Sequence, residues 1–147
     1  PYTTLFRSPV LMNTATAPAT PRTINELGSD LNTWLGTLRC YREEIMIFEH
    51  RMEELVARGG LPKDELIKLE HFQNQFIRQT EVIDELRHDL KQHENTLEAE
   101  ATDRVIPRDH SIDIAQETLR DSMMTFEKLY VELKAEYTEW LDTVNKN

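Results

Sequence analysis

Three stripes of apolar residues run through this chain, each advancing in steps of three or four. The first is Ile24, Leu27, Leu31, Trp34, Leu38, Tyr41, Ile45, Phe48, Met52 and Leu55. The second is Leu69, Phe72, Phe76, Ile83, Leu86, Leu90 and Leu97, with the polar residues Gln79 and His93 at two of its positions. The third is Ile112, Leu119, Met123, Phe126, Tyr130, Leu133, Tyr137, Trp140 and Val144, interrupted by Gln116. This spacing keeps one face of a helix apolar turn after turn. It predicts three long helices, over about 24–58, 62–103 and 109–145.

The punctuation between stripes agrees with that reading. Thr23-Ile24-Asn25-Glu26 has the form of a capping box, in which hydroxyl and carboxylate satisfy each other's backbone amides. Gly59-Gly60-Leu61-Pro62 offers a left-handed cap for one helix and a proline start for the next. So short a connection forces the first two helices into an antiparallel hairpin. Val105-Ile106-Pro107 breaks the second helix, because proline disfavours helix in the residue before it. Asp109 or Ser111 then serves as cap for the third. The expected fold is all-α: an elongated, coiled-coil-like, antiparallel three-helix bundle running up, down, up. Gly28 and Gly36 lie off the first stripe and are expected where a neighbour approaches closely.

Residues 1–22 stand apart. Asn13 to Arg22 is threonine, alanine and proline with almost no apolar bulk, and is expected to be disordered. Pro1 to Ser8 resembles the translation of a short-read sequencing adapter, which makes Met12 the expected natural start. Leu5 to Leu11 has neither the long apolar core nor the cleavage site of a signal peptide.

Charge narrows the functions. The formal net charge is −10, from 17 basic and 27 acidic residues. Such a surface repels phosphate backbones, so nucleic acid is not an expected partner, although a local basic patch can survive. No apolar run approaches the roughly 18–20 residues of a membrane span, and no basic amphipathic stripe suits a membrane surface. One cysteine, Cys40, rules out a disulfide or a cysteine-based zinc site within the chain. Its neighbours Glu43 and Glu44 disfavour a thiolate, and a lone thiol suits a reducing cytoplasm. No catalytic triad, glycine-rich phosphate loop or dinucleotide fingerprint is present, so no catalytic residue and no cofactor is expected.

The candidate sites are therefore polar interruptions. Gln79 and His93 occupy positions where leucine would be more stable. Counting back from the hairpin puts Gln79 level with Tyr41 and with Leu133 to Tyr137, where a Gln79–tyrosine hydrogen bond would satisfy both groups. Polar seam residues of this kind fix register. The sharper alternative is a polar pocket in which His93, Glu100 and Gln116 hold a small ligand or metal. Replacing His93 by leucine separates the two, since a register device should lose little stability and a ligand site should lose its ligand.

Metal spacing also occurs at Glu85-Leu86-Arg87-His88, Glu49-His50 and Glu70-His71. In each case the stripe turns Leu86, Phe48 or Phe72 inward and leaves the histidine outside, so no metal is expected. Trp34-Leu35-Gly36 matches the tripeptide of a secreted helical-hairpin family named for Trp-x-Gly. There it sits at the hairpin turn, whereas here it lies within a stripe. The Tyr-x-x-x-acid export signal is also missing, since Lys134 follows Tyr130 and Leu141 follows Tyr137.

The stretch Leu69-Glu70-His71-Phe72-Gln73-Asn74-Gln75-Phe76-Ile77, with Ile83 to His88, Trp34 and Tyr41 to Glu44, resembles a group of small uncharacterised bacterial helical proteins. The resemblance covers roughly residues 23–100 and carries no activity across. It implies an outward surface patch that includes His71, Asn74 and His88, to which His50 is added as a candidate; the preferred reading of these outward residues is a solvated helix face. The expectation is a non-enzymatic interaction or scaffolding protein with a protein partner or a second copy of itself. Met46, Ile47, Ile77, Val82, Met124 and Val131 are its candidate apolar contacts outside the stripes.

Overall fold

A computed structural model describes residues 22–102 and 110–146. They form a three-helix bundle: α1 (Ile24–Arg58), α2 (Lys63–Thr102) and α3 (His110–Lys146). At 1.5 Å per residue each helix is about 50–60 Å long. The break expected at 103–109, the cap at Asp109 and nearly all of the expected tail lie outside the described residues. Arg22, read as the last residue of that tail, is held by Asp30 at 2.7 Å and by the Glu26 carbonyl at 3.3 Å.

The helix ends follow local chemistry. The Thr23 hydroxyl accepts from the Glu26 amide at 3.1 Å, and the Thr23 amide donates to the Glu26 carboxylate at 2.8 Å. Gly59 closes α1 with φ 75° and ψ 179°, a conformation open to glycine and strained for other residues. It differs from the left-handed cap expected there, whose ψ lies near 47°. Pro62 sits just before α2 rather than in it, and its carbonyl accepts from Glu65 and Leu66, both at 3.0 Å. Ser111, the other expected cap, lies inside the first turn of α3.

The side-chain partners give the helix directions. Residues of α1 bond residues of α3 that lie 86 to 90 positions later all along their length, from Asp30–Arg120 to Glu44–Lys134. A constant offset means parallel helices. Across α2 and α3 the pairing reverses, with Phe72 against Tyr137 and His93 against Gln116. Across α1 and α2 it reverses too, with Arg42 against Asp84 and Phe48 against Phe76. The bundle therefore runs up, down, up.

The stripes make the core. Leu31, Met52, Phe76, Leu90, Tyr130 and Tyr137 have no exposed surface, and every apolar residue of the second and third stripes is buried. In the first stripe Ile24, Trp34, Tyr41 and Phe48 are half-buried and pack on the core from its edge. Four of the aromatics form one cluster. Tyr137 lies 4.8 Å from Phe48, 5.6 Å from Phe72 and 5.3 Å from Phe76, centroid to centroid. These rings also explain the spacing of the bundle. The α1 and α3 backbones come close at few points, and bulky side chains fill the space between them. Trp140 completes the cluster at 5.4 Å from Phe72, but its buried indole Nε1 has no hydrogen-bond partner among the described residues.

The glycines differ from expectation. Among the described residues a methyl group at Gly28 would meet nothing within 4 Å, and one at Gly36 would meet only the Arg39 guanidinium at 3.9 Å. Neither marks close approach of another helix.

Candidate functional site

His93 and Gln116 come together in the interior. His93 Nε2 stands 2.8 Å from Gln116 Oε1, and Gln116 Nε2 donates to the Leu27 carbonyl at 3.2 Å. A carbonyl can only accept, so the amide turns its NH2 toward Leu27 and its oxygen toward His93. His93 Nε2 must then carry the proton and donate it. One bonded chain thus crosses all three helices at a single height. The residues are 7% and 2% exposed, and their groups are satisfied by one another. Glu100 is half-buried two turns further along α2 and has no bond to either residue. Tyr41, at the middle of α1, is not part of this layer.

Gln79 behaves differently. It is half-buried and lines a cleft of about 600 Å³ between α2 and α3, beside Val82, Phe126 and Leu129. The expected Gln79–tyrosine bond is not formed. The Tyr41 hydroxyl donates to Glu127 at 3.1 Å and the Tyr130 hydroxyl to Glu44 at 2.6 Å. An ionised carboxylate is a stronger acceptor than a neutral amide, and both tyrosines have one within reach across the α1–α3 gap.

That gap holds a polar ladder which the stripes alone did not reveal. Asp30 receives Arg22 at 2.7 Å and Arg120 at 2.8 Å, and the Arg120 guanidinium lies 5.4 Å from the Trp34 ring centre. Glu44 receives both Tyr130 and Lys134, the latter at 2.7 Å. The sequence signal was available. Asp30, Thr37 and Glu44 recur every seven residues beside the first seam, as do Arg120, Glu127 and Lys134 beside the third. Flanking charges at seven-residue intervals are how parallel helices select their partners. The Arg22 hydrogen bond holds the Asp30 carboxyl below the usual carboxylate range, with burial opposing it.

Burial pushes the Tyr130 phenol far above its ordinary value, and the Glu44 carboxylate pushes it further. Both folded and unfolded chains keep this proton below about pH 10. Above that pH the unfolded chain ionises first, so native stability must fall as pH rises. Tyr130→Phe is therefore expected to flatten the alkaline limb of stability against pH, by up to about 1 kcal/mol per pH unit. Urea midpoints at a series of alkaline pH values check this. Parallel limbs for the variant and the parent would refute it.

The outward histidines do not converge. His50 lies 3.8 Å from Glu53 and 3.6 Å from Glu54 on its own helix, and its side chain is 72% exposed. His71 stands edge-on to Phe72 at 5.6 Å, and His71, Asn74 and His88 are all exposed on α2. Among the described residues no three histidine, cysteine or acidic side chains are grouped to hold a metal ion. Cys40 is exposed.

A second cleft, of about 360 Å³, lies between α1 and α2. Arg39, Arg42, Arg87 and Lys91 line it, with Asn32 and Gly36. The same face carries Met46, one turn beyond Arg42, and Ile77, two turns before Asp84. They are 61% and 50% exposed. Ile47, Met124 and Val131 are also exposed, whereas Val82 is half-buried against the core and is not a free contact. Among the described residues no helix is long and apolar enough to cross a membrane. Comparison with protein-family models, with curated proteins and with solved structures returns no match for this chain.

Proposed function

We propose that this chain is a non-enzymatic interaction or scaffolding protein that offers its α1–α2 face to a protein partner. The observation that carries the reading is the exposure of Met46 and Ile77 on one face of a bundle whose core is already closed. Large apolar side chains left outside a complete core cost solubility, and an adjoining pair of them suits a contact that covers both. Long rigid helices present such residues at fixed spacing, which favours recognition of another helix or an extended segment.

The test places a photo-reactive residue at position 46 or 77 in the full chain inside its native host, with exposed Glu85 as a control position. One adduct of common mass is expected from 46 and 77 and none from 85. An adduct at twice the chain mass would identify the partner as a second copy. Equal labelling at all three positions, or none at 46 and 77, would remove the proposal.

A further inference from the structure

The α1–α2 cleft concentrates positive charge in a chain whose net charge is −10. Arg42 pairs with Asp84 across the helices, and Lys91 reaches Glu94 at 3.4 Å. Arg39 and Arg87 form no ion pair among the described residues. The antiparallel register set by Arg42 and Asp84 places these two at the same height, one from each helix. Two unneutralised guanidinium groups on one cleft repel each other, in a chain that has carboxylates to spare. Gly36 lies on the cleft wall, and among the described residues a methyl group there would stand 3.9 Å from the Arg39 guanidinium, an ordinary contact.

We propose that this cleft binds a small phosphate-bearing anion, a phosphomonoester or short polyphosphate. Guanidinium forks from Arg39 and Arg87 match pairs of phosphate oxygens, Lys91 adds a point charge, and the Asn32 amide supplies a neutral donor. The size of the cleft lies at the small end of ligand sites. The acidic remainder of the surface opposes a long polyanion and leaves a compact one, held within a Debye length of the cations, as the favoured ligand. The cleft shares the α1–α2 face with the partner surface proposed above, but the site does not use Met46 or Ile77, so failure of either reading leaves the other standing.

The test titrates inorganic pyrophosphate into the full chain at constant ionic strength, followed by amide chemical shifts and calorimetry. Saturable binding is expected, with shifts centred on residues 32–42 and 87–91. Replacing Arg39 and Arg87 together by glutamine should weaken it at least about tenfold without moving the unfolding midpoint, since both side chains are exposed. Arg51→Gln, also exposed on α1, should leave binding unchanged. A linear response, an equal response to chloride, or equal affinity in the double variant would overturn the proposal. So would tighter binding to vesicles of anionic phospholipid than to pyrophosphate, which would make the ligand a membrane surface.

Discussion

Phe76→Ala is expected to lower the thermal midpoint by about 10–20 °C, the largest effect of any single truncation in the bundle. Phe76 is fully buried, and it meets α1 through Phe48 at 5.4 Å and α3 through Tyr137 at 5.3 Å, the latter edge to face. Truncation removes the transfer energy of a ring and leaves a cavity at the point where all three helices meet, together about 3–5 kcal/mol. It also removes two aromatic contacts, each worth about 0.5–1.5 kcal/mol beyond its area. Domains of this size are stable by about 5–15 kcal/mol, so the loss is a large share of the whole. Ile47→Ala is the control, because Ile47 is 66% exposed and its loss should stay within about 0.5 kcal/mol. Thermal melts followed by circular dichroism check both. A loss below about 1 kcal/mol for Phe76→Ala would mean that the aromatic cluster does not hold the helices together.

The contrast between those two residues was legible in the sequence, because spacing alone places Phe76 inside and Ile47 outside. A period of three and four fixes the phase of a helix, and phase decides burial. The start of α1 and the turn between α1 and α2 were legible for a similar reason, because a capping box, glycine and proline act over a few residues, whereas Ser111, an expected cap, lies inside α3. What remained hidden depended on contacts between helices. His93 and Gln116 stood out as polar interruptions of two separate stripes, and their height groups them with Glu100, but nothing local states that those two bond, that Glu100 stands outside the layer, or that the Leu27 carbonyl completes the chain. Gln79 interrupts its stripe in the same way and has no such partner, because it faces the α2–α3 cleft. The tyrosine hydroxyls chose Glu44 and Glu127, whose reach depends on how far apart α1 and α3 stand. The unneutralised pair Arg39 and Arg87 was invisible too, since pairing within one helix says nothing about charges that face each other across two.

The polar layer yields the second large effect, and it amends the sequence-based expectation for His93. His93→Leu taken alone is now expected to destabilise the bundle by about 1–3 kcal/mol, since it strands the buried Gln116 oxygen without a donor. Gln116→Leu should cost a similar amount by stranding the His93 Nε2 proton. Replacing both by leucine removes donor and acceptor together and should restore stability to the parent level or above it. The double-mutant cycle thus has an expected coupling of about 1–3 kcal/mol, read from urea unfolding of the four proteins. What the double variant should lose is uniqueness. With leucine at both positions, the third stripe has no polar interruption and the second keeps only half-buried Gln79. Neighbouring heights then become nearly equivalent for sliding α2 against α3. A smaller urea m-value, or a solution mass that depends on concentration, would report that loss. Single variants whose costs simply add would show that the bond between His93 and Gln116 contributes nothing, and the layer would then be no register device.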